Sequence, residues 1–158
     1  MEIIKLNSND LLNQDKTMLT KVIYNNFPEL VDVPNVVHTE ESIKKTLESK
    51  NVVLIIALTE NKKIGGYLLG DIMILEDGRK VLFISYLYVA NSLRNKGLGK
   101  KIMFESFTIG NNEFCDGVLL IYDTTDKQLR EFYGKLGFML DFNLRRYEKN
   151  DVFYKVLY

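Results

Sequence analysis

The stretch Val81-Leu-Phe-Ile-Ser-Tyr-Leu-Tyr-Val89, followed after four residues by Arg94-Asn-Lys-Gly-Leu-Gly-Lys100, decides how this chain is read. The first part is an apolar, β-branched and aromatic run, as in a buried strand. The second is a basic turn carrying Gly97 and Gly99, and behind it Leu98 and Ile102 fall on one helical face. A strand that breaks into such a turn and then opens a helix aims backbone N–H groups and the positive end of a helix dipole at one spot. That arrangement suits a phosphate or pyrophosphate. Arg94, Lys96 and Lys100 add charge there. Taken alone, Arg-x-x-Gly-x-Gly is also a common turn. It is neither a Walker loop, lacking Gly-Lys-Ser/Thr, nor a dinucleotide fingerprint, lacking the third glycine.

Outward from this stretch the pattern alternates. Upstream, Glu2–Leu6 reads as a short strand, with Ser8, Asn9 and Asp10 as candidate helix caps. Leu11, Leu12, Met18, Leu19, Val22 and Ile23 then recur at helical spacing, and Glu40–Ser49 reads as a second helix. A loop from about Phe27 to Thr39, bracketed by Pro28 and Pro34, separates the two. Val52–Leu58, Ile64–Leu75 and Val81–Val89 form a meander of three strands. Downstream, a helix over Gly97–Ile109 is expected to break at Gly110-Asn111-Asn112. Gly117–Tyr122 is a buried strand, and Asp126–Leu136 a helix closed by Gly137 in a C′ position. Phe138–Phe142 and Val152–Leu157 are two final strands. The order predicts an α/β (α+β) chain with an antiparallel first half and a βαβ element in the second.

With 158 residues, one domain spanning 1–158 is expected. Lys+Arg and Asp+Glu balance at 21 each, so net charge favours neither a nucleic acid nor a membrane partner. One cysteine (Cys115) and one histidine (His38) leave no basis for a disulfide or a Cys/His metal site, so no metal is expected. No apolar run approaches the length of a membrane span, and the N-terminus does not read as a signal peptide, so the default compartment is cytoplasmic.

Two motifs together carry a family resemblance. Tyr86-Leu-Tyr-Val89 with Arg94-Asn-Lys-Gly-Leu-Gly-Lys100 resembles the acetyl-CoA motif of the GNAT (GCN5-related) N-acetyltransferases. Asp126-Lys-Gln-Leu-Arg-Glu-Phe-Tyr133-Gly-Lys-Leu-Gly137-Phe138 resembles that family's helix ending in Phe-Tyr-x-x-x-Gly-Phe. The element order agrees over nearly the whole chain. The resemblance implies a mostly antiparallel, strongly twisted sheet with helices on both faces and a splayed central strand pair.

It also implies roles. Leu87, Tyr88 and Val89 would contact the pantetheine arm of acetyl-CoA through main-chain atoms. The N–H groups of Asn95, Lys96, Gly97, Leu98, Gly99 and Lys100 would hold the pyrophosphate, with Arg94 as a charged partner. Val89 N–H would face the oxyanion, and Tyr133 would be the general acid that protonates the departing CoA thiolate. On spacing alone, Tyr133 also extends the packing face of Leu129, Phe132 and Leu136. Asp126 stands where the family often has Asn, and reads better as an N-cap than as a cofactor contact.

The general base is not evident. Many relatives carry a Glu on the strand before the turn, at positions filled here by Ser85 and Tyr86. Asp123, Glu29, Asp32 and His38 are the candidates, with relay through water as a further route. The expected activity is acetyl transfer to a primary amine of a small molecule or of a peptide or protein, without an acetyl-cysteine. The alternatives are a non-catalytic acyl-CoA-binding sensor or interaction module and an unrelated phosphate-binding domain. Acceptor contacts are expected from about Tyr24–Thr39, where Glu29 and Asp32 would draw a cation, and Phe138–Tyr147, where Arg145 and Arg146 would draw an anion. The aromatic C-terminus Phe153–Tyr158, read as an exposed edge strand, makes a homodimer plausible.

Overall fold

The computed structural model describes residues 1–34 and 36–157. Among these the chain forms β1 (Glu2–Leu6), α1 (Asn13–Asn26), α2 (Glu40–Leu47), β2 (Val52–Leu58), β3 (Ile64–Ile74), β4 (Lys80–Val89), α3 (Leu98–Asn112), β5 (Gly117–Asp123), α4 (Lys127–Lys135), β6 (Met139–Leu140) and β7 (Asn150–Val156). Single 3-10 turns stand at Pro28–Leu30 and Asn91–Leu93. The strands hydrogen-bond in the order β1-β2-β3-β4-β5-β7-β6, a mixed sheet in which β4 and β5 run parallel. This is the α/β class and the βαβ element expected from the sequence. The chain divides into two compact units, Met1–Asp71 with Tyr86–Met103, and Ile72–Ser85 with Phe104–Tyr158.

In the first unit β2 pairs antiparallel with β1 and β3. Residues Val52 to Ala57 are all buried, which is why β2 shows no polar alternation in sequence. Val52, Leu54 and Ile56 share one face. They pack in one core with Leu19 and Ile23 of α1 and Ile43 and Leu47 of α2. Helix α2 starts at a reciprocal cap: Thr39 Oγ1 accepts from Ser42 N–H at 3.0 Å, and Ser42 Oγ accepts from Thr39 N–H at 3.3 Å. The expected caps of α1 are used otherwise. Asn7 N–H donates to Asp10 Oδ2 and Asn9 N–H to Asn7 Oδ1, closing a polar turn, and α1 starts at Asn13 after an uncapped Leu12. Leu12 and Met18, expected on the packing face of α1, are exposed.

In the second unit Val81, Leu119 and Val152 of β4, β5 and β7 centre a smaller core. Helix α3 runs through Gly110 instead of breaking before it. A Cβ at Gly110 would stand 2.6 Å from Leu157 Cδ1, so the glycine serves close packing. The helix stops later, where Phe114 turns left-handed (φ 58°). There Cys115 N–H reaches the Gly110 carbonyl at 2.9 Å and Phe114 N–H the Asn111 carbonyl at 3.1 Å.

Strand β6 is only two residues long, against the five expected. Strand β7 lies between β5 and β6 and pairs with both, so the exposed edge read into the C-terminus belongs to β6. Phe153 is buried, and Tyr158 lies outside the described residues. Among the described residues no helix is long and apolar enough to cross a membrane.

Candidate active site

The end of β4 from Tyr86, the basic turn and the start of α3 as far as Met103 lie within the first unit. Strand β4 ends at Val89, and Ala90 N–H donates to the Gly65 carbonyl at 2.9 Å. Leu93 N–H closes the following 3-10 turn on the Ala90 carbonyl at 2.8 Å. Asn95 (φ 62°) and Gly97 (φ 85°) then take left-handed conformations, which asparagine tolerates and glycine adopts without strain. A Cβ at Gly97 would meet nothing within 4 Å among the described residues, so its backbone angle and not crowding calls for glycine.

The first hydrogen bond at the start of α3 runs from Lys101 N–H to the Gly97 carbonyl at 3.0 Å. The N–H groups of Leu98 and Gly99 precede it, in the first turn, where a helix has no carbonyl of its own to offer. Arg94, Asn95, Lys96, Gly97 and Lys100 are exposed, while Leu98 is buried and anchors the turn. The arrangement can hold an anion on backbone donors in front of a helix dipole. Arg94 is more constrained than its sequence suggests. Its Nε donates to the Val89 carbonyl at 2.8 Å, and its guanidinium stands 6.0 Å from the Tyr88 ring.

Gly66 fixes the approach of β3 to β4. A Cβ there would fall 2.8 Å from the Tyr88 carbonyl oxygen and 3.1 Å from Ile102 Cδ1. The sequence shows Gly65-Gly66 opening a strand, which signals close backbone approach without naming the neighbour.

Tyr133 lies in the second unit, on α4. Asp126 caps that helix, its Oδ1 accepting from Leu129 N–H at 3.1 Å, as its sequence position suggests. At the other end Gly137 (φ 94°) is the C′ residue. Phe138 N–H reaches the Tyr133 carbonyl and Gly137 N–H the Gly134 carbonyl, both at 3.1 Å. The Tyr133 ring meets Phe138 edge-on at 5.6 Å and stacks with Tyr122 at 5.1 Å. Tyr133 is the buried residue of α4, so it does extend the packing face. Burial, with Tyr122 adding to it, pushes its hydroxyl well above the ordinary tyrosine range. The phenol is protonated near neutral pH, as an unshifted tyrosine already is, and the upward shift makes it the weaker proton donor.

The candidate bases separate sharply. Glu29 and Asp32 are exposed. Asp123 accepts from Thr125 Oγ1 at 2.6 Å and pairs with Lys149 at 3.3 Å. Burial raises its pKa, but these partners outweigh it and hold the carboxyl below the usual range. His38 and Tyr86 come together, Nδ1 to Oη at 2.7 Å, and both are buried. Burial pushes the Tyr86 hydroxyl up to about 12. Sequence reading named both residues and missed the pair.

Tyr86 and Tyr88 are two apart on β4 and so share a face. Phe27 touches both rings, at 5.1 and 6.1 Å, and Tyr67 stacks on Tyr88 at 5.2 Å. In the other expected acceptor region, Arg145 is drawn to buried Asp151 at 3.4 Å and covers the Tyr147 ring. A groove of about 550 Å³ in the second unit is lined by Met139, Leu140, Phe142 and Lys155 among others. Among the described residues no group of three or more His, Cys, Asp or Glu is placed to hold a metal ion.

In the first unit a basic turn and a helix N-terminus thus follow a strand whose aromatic residues form a cluster. Residues 21–138 match the model of the acetyltransferase (GNAT) family, and the chain belongs to that family. Arabidopsis thaliana NAA60 in complex with acetyl-CoA superposes with a TM-score of 0.71 over 98% of each chain, at 15% identity. An aminoglycoside acetyltransferase, meta-AAC0020, from an uncultured soil metagenomic sample and in complex with sisomicin, gives a TM-score of 0.62 over 85% of each chain, at 22% identity. Among curated proteins no sequence match reaches significance.

Proposed function

We propose that residues 1–158 act as an N-acetyltransferase domain that moves an acetyl group from acetyl-CoA to a primary amine by direct attack, through a tetrahedral intermediate. The observation that carries the proposal is the turn in which left-handed Asn95 and Gly97 deliver an exposed, basic segment into the first turn of α3. The N–H groups from Asn95 to Lys100 hold the pyrophosphate. Main-chain groups of Leu87, Tyr88 and Val89 pair with the pantetheine amides as an added strand would. Val89 N–H donates to the oxyanion. Tyr133 protonates the CoA thiolate with its single O–H donor. The acceptor is an amine of a small molecule or of a peptide or protein.

Acetyl-CoA is incubated with a panel of spermidine, sisomicin and a peptide bearing a free α-amino group, and free thiol is read. Thiol release with one of them, lost in Tyr133→Phe at unchanged acetyl-CoA affinity, supports the reading. Tight binding of acetyl-CoA by calorimetry without turnover of any amine would instead make the chain an acyl-CoA sensor. Gly99→Asp retaining full affinity would remove the turn from the cofactor site.

A further inference from the structure

We propose that Tyr86 and His38 form a proton relay that deprotonates the acceptor amine, in place of the carboxylate missing from Ser85 and Tyr86. The proposal rests on the acetyltransferase reading above, and all its atoms lie in the first unit.

The hydrogen-bond pattern fixes the direction of the relay. His38 Nε2 lies 3.0 Å from the Tyr24 carbonyl oxygen, which has no proton to give, so Nε2 carries the hydrogen and donates. In the neutral ring Nδ1 is then bare. Tyr86 Oη, 2.7 Å away, donates its proton to Nδ1. Having given its single proton, Oη has only acceptor capacity left. What it can take next is a donor, and an ammonium N–H is one.

The Tyr24 ring lies parallel to His38 at 4.9 Å and 4°, which fixes the plane of the imidazole. The Nε2–H bond to Tyr24 persists in either charge state. His38 directly precedes Thr39, whose reciprocal cap fixes the chain at that point. Tyr86 stands three residues before Val89, about 10 Å along the strand at ~3.3 Å per residue.

The step balances. An ammonium R–NH3⁺ gives a proton to Tyr86 Oη as the Tyr86 O–H proton passes to His38 Nδ1. A neutral amine, an intact tyrosine and an imidazolium result. The amine attacks the thioester carbon and the C–S bond breaks. The second nitrogen proton leaves the tetrahedral intermediate and ends on the CoA sulfur. The imidazolium proton is released to water, and the net reaction yields amide, CoA thiol and one proton.

Two measurements decide it. Because His38 is the only histidine, ¹⁵N labelling of histidine reports on this ring alone in the intact protein. The Nε2–H tautomer is expected, with the bare Nδ1 resonance shifting in Tyr86→Phe. A dominant Nδ1–H tautomer overturns the relay whether or not any amine is acetylated. In the thiol assay with spermidine, sisomicin and the peptide, Tyr86→Phe and His38→Ala are expected to lower kcat by about 10²–10⁴ with acetyl-CoA affinity retained. Added imidazoles should restore His38→Ala in order of basicity. Rescue that follows ring size instead, or a kcat within twofold of the parent in Tyr86→Phe, overturns the relay. Tyr86→Phe keeps the ring and decides the matter if His38→Ala does not fold. Absence of turnover by the parent chain counts against the acetyltransferase reading, and the tautomer still tests the hydrogen-bond pattern.

Discussion

Gly66→Ala is expected to displace the end of β4, the strand proposed to bind acetyl-CoA. The new Cβ would stand 2.8 Å from the Tyr88 carbonyl oxygen, 0.6 Å short of the 3.4 Å at which ordinary contact begins. Its other close neighbours, Ile102 Cδ1 at 3.1 Å and Leu98 Cδ2 at 3.5 Å, are side-chain ends that can give. The Tyr88 oxygen is main chain and cannot move without moving β4. Overpacking of this kind costs about 1–3 kcal/mol. The displaced segment is the one proposed to pair with pantetheine, so acetyl-CoA affinity should fall about tenfold, equivalent to about 1.4 kcal/mol. Urea unfolding gives the first number and calorimetry the second. Gly134→Ala is the internal control: within α4, a Cβ there meets nothing within 4 Å among the described residues. It should stabilise by about 0.5–1 kcal/mol, because alanine is the better helix former. If both variants unfold at the same urea concentration as the parent and Gly66→Ala binds acetyl-CoA equally well, the close approach of β3 to β4 is wrong.

Two further substitutions test the second unit. Arg79 holds Asp141 through two bonds of 3.0 Å, also binds Asp77, and covers the Tyr154 ring. Arg79→Met leaves the buried Asp141 carboxylate unpaired and should cost about 3–5 kcal/mol in urea unfolding, with Asp141→Asn in the same background recovering part of it. Asp151 is buried, which alone would raise its pKa, but the N–H groups of Arg146 and Val152 and the Arg145 guanidinium hold its carboxyl below the usual range. A carboxyl depressed on folding adds stability above its unfolded value of about 3.9 and loses it as pH falls through the folded value. Asp151→Asn should therefore lower stability by about 1–3 kcal/mol at pH 7. Thermal melts should show the gap closing as pH falls below about 4, and a gap constant from pH 7 to 3 would count against the bonds to the carboxylate.

The turn at Arg94–Lys100 was legible because what shapes it is local. A left-handed backbone at position 97 demands glycine, a helix N-terminus demands a turn before it, and both requirements act within a few residues of Val89. The same holds at the end of α4, where Gly137 and Phe138 close the helix on the two preceding turns. Misreadings arose where one residue type serves two ends. Gly110 reads as a break and acts as a packing gap for Leu157, while Asp10 reads as a cap and closes a turn with Asn7. The aromatic run of β7 reads as an exposed edge, because no local pattern shows that two residues of β6 pair beyond it.

The pairing of His38 with Tyr86 resists sequence reading for a physical reason. A carboxylate base announces itself, since a charge in an apolar strand has few structural explanations. A tyrosine in the same place, such as Tyr86 in β4, has many, and its polarity becomes visible only when its partner is known. That partner is 48 residues away, in a loop without periodicity. The loop does carry one local clue. Thr39-Glu-Glu-Ser42 is a helix start, and a residue just before a cap is held in a fixed direction. A lone histidine at that point is held in place before any tertiary contact is made. Moving the cap should thus act on the pair without touching it. Thr39→Ala removes the oxygen that accepts from Ser42 N–H and should cost about 1 kcal/mol of stability. If His38 owes its position to the cap, its ¹⁵N signals should broaden or double in Thr39→Ala while Tyr24 and Tyr86 remain intact. A single unchanged set of signals would show that the Tyr24 and Tyr86 bonds alone hold the ring.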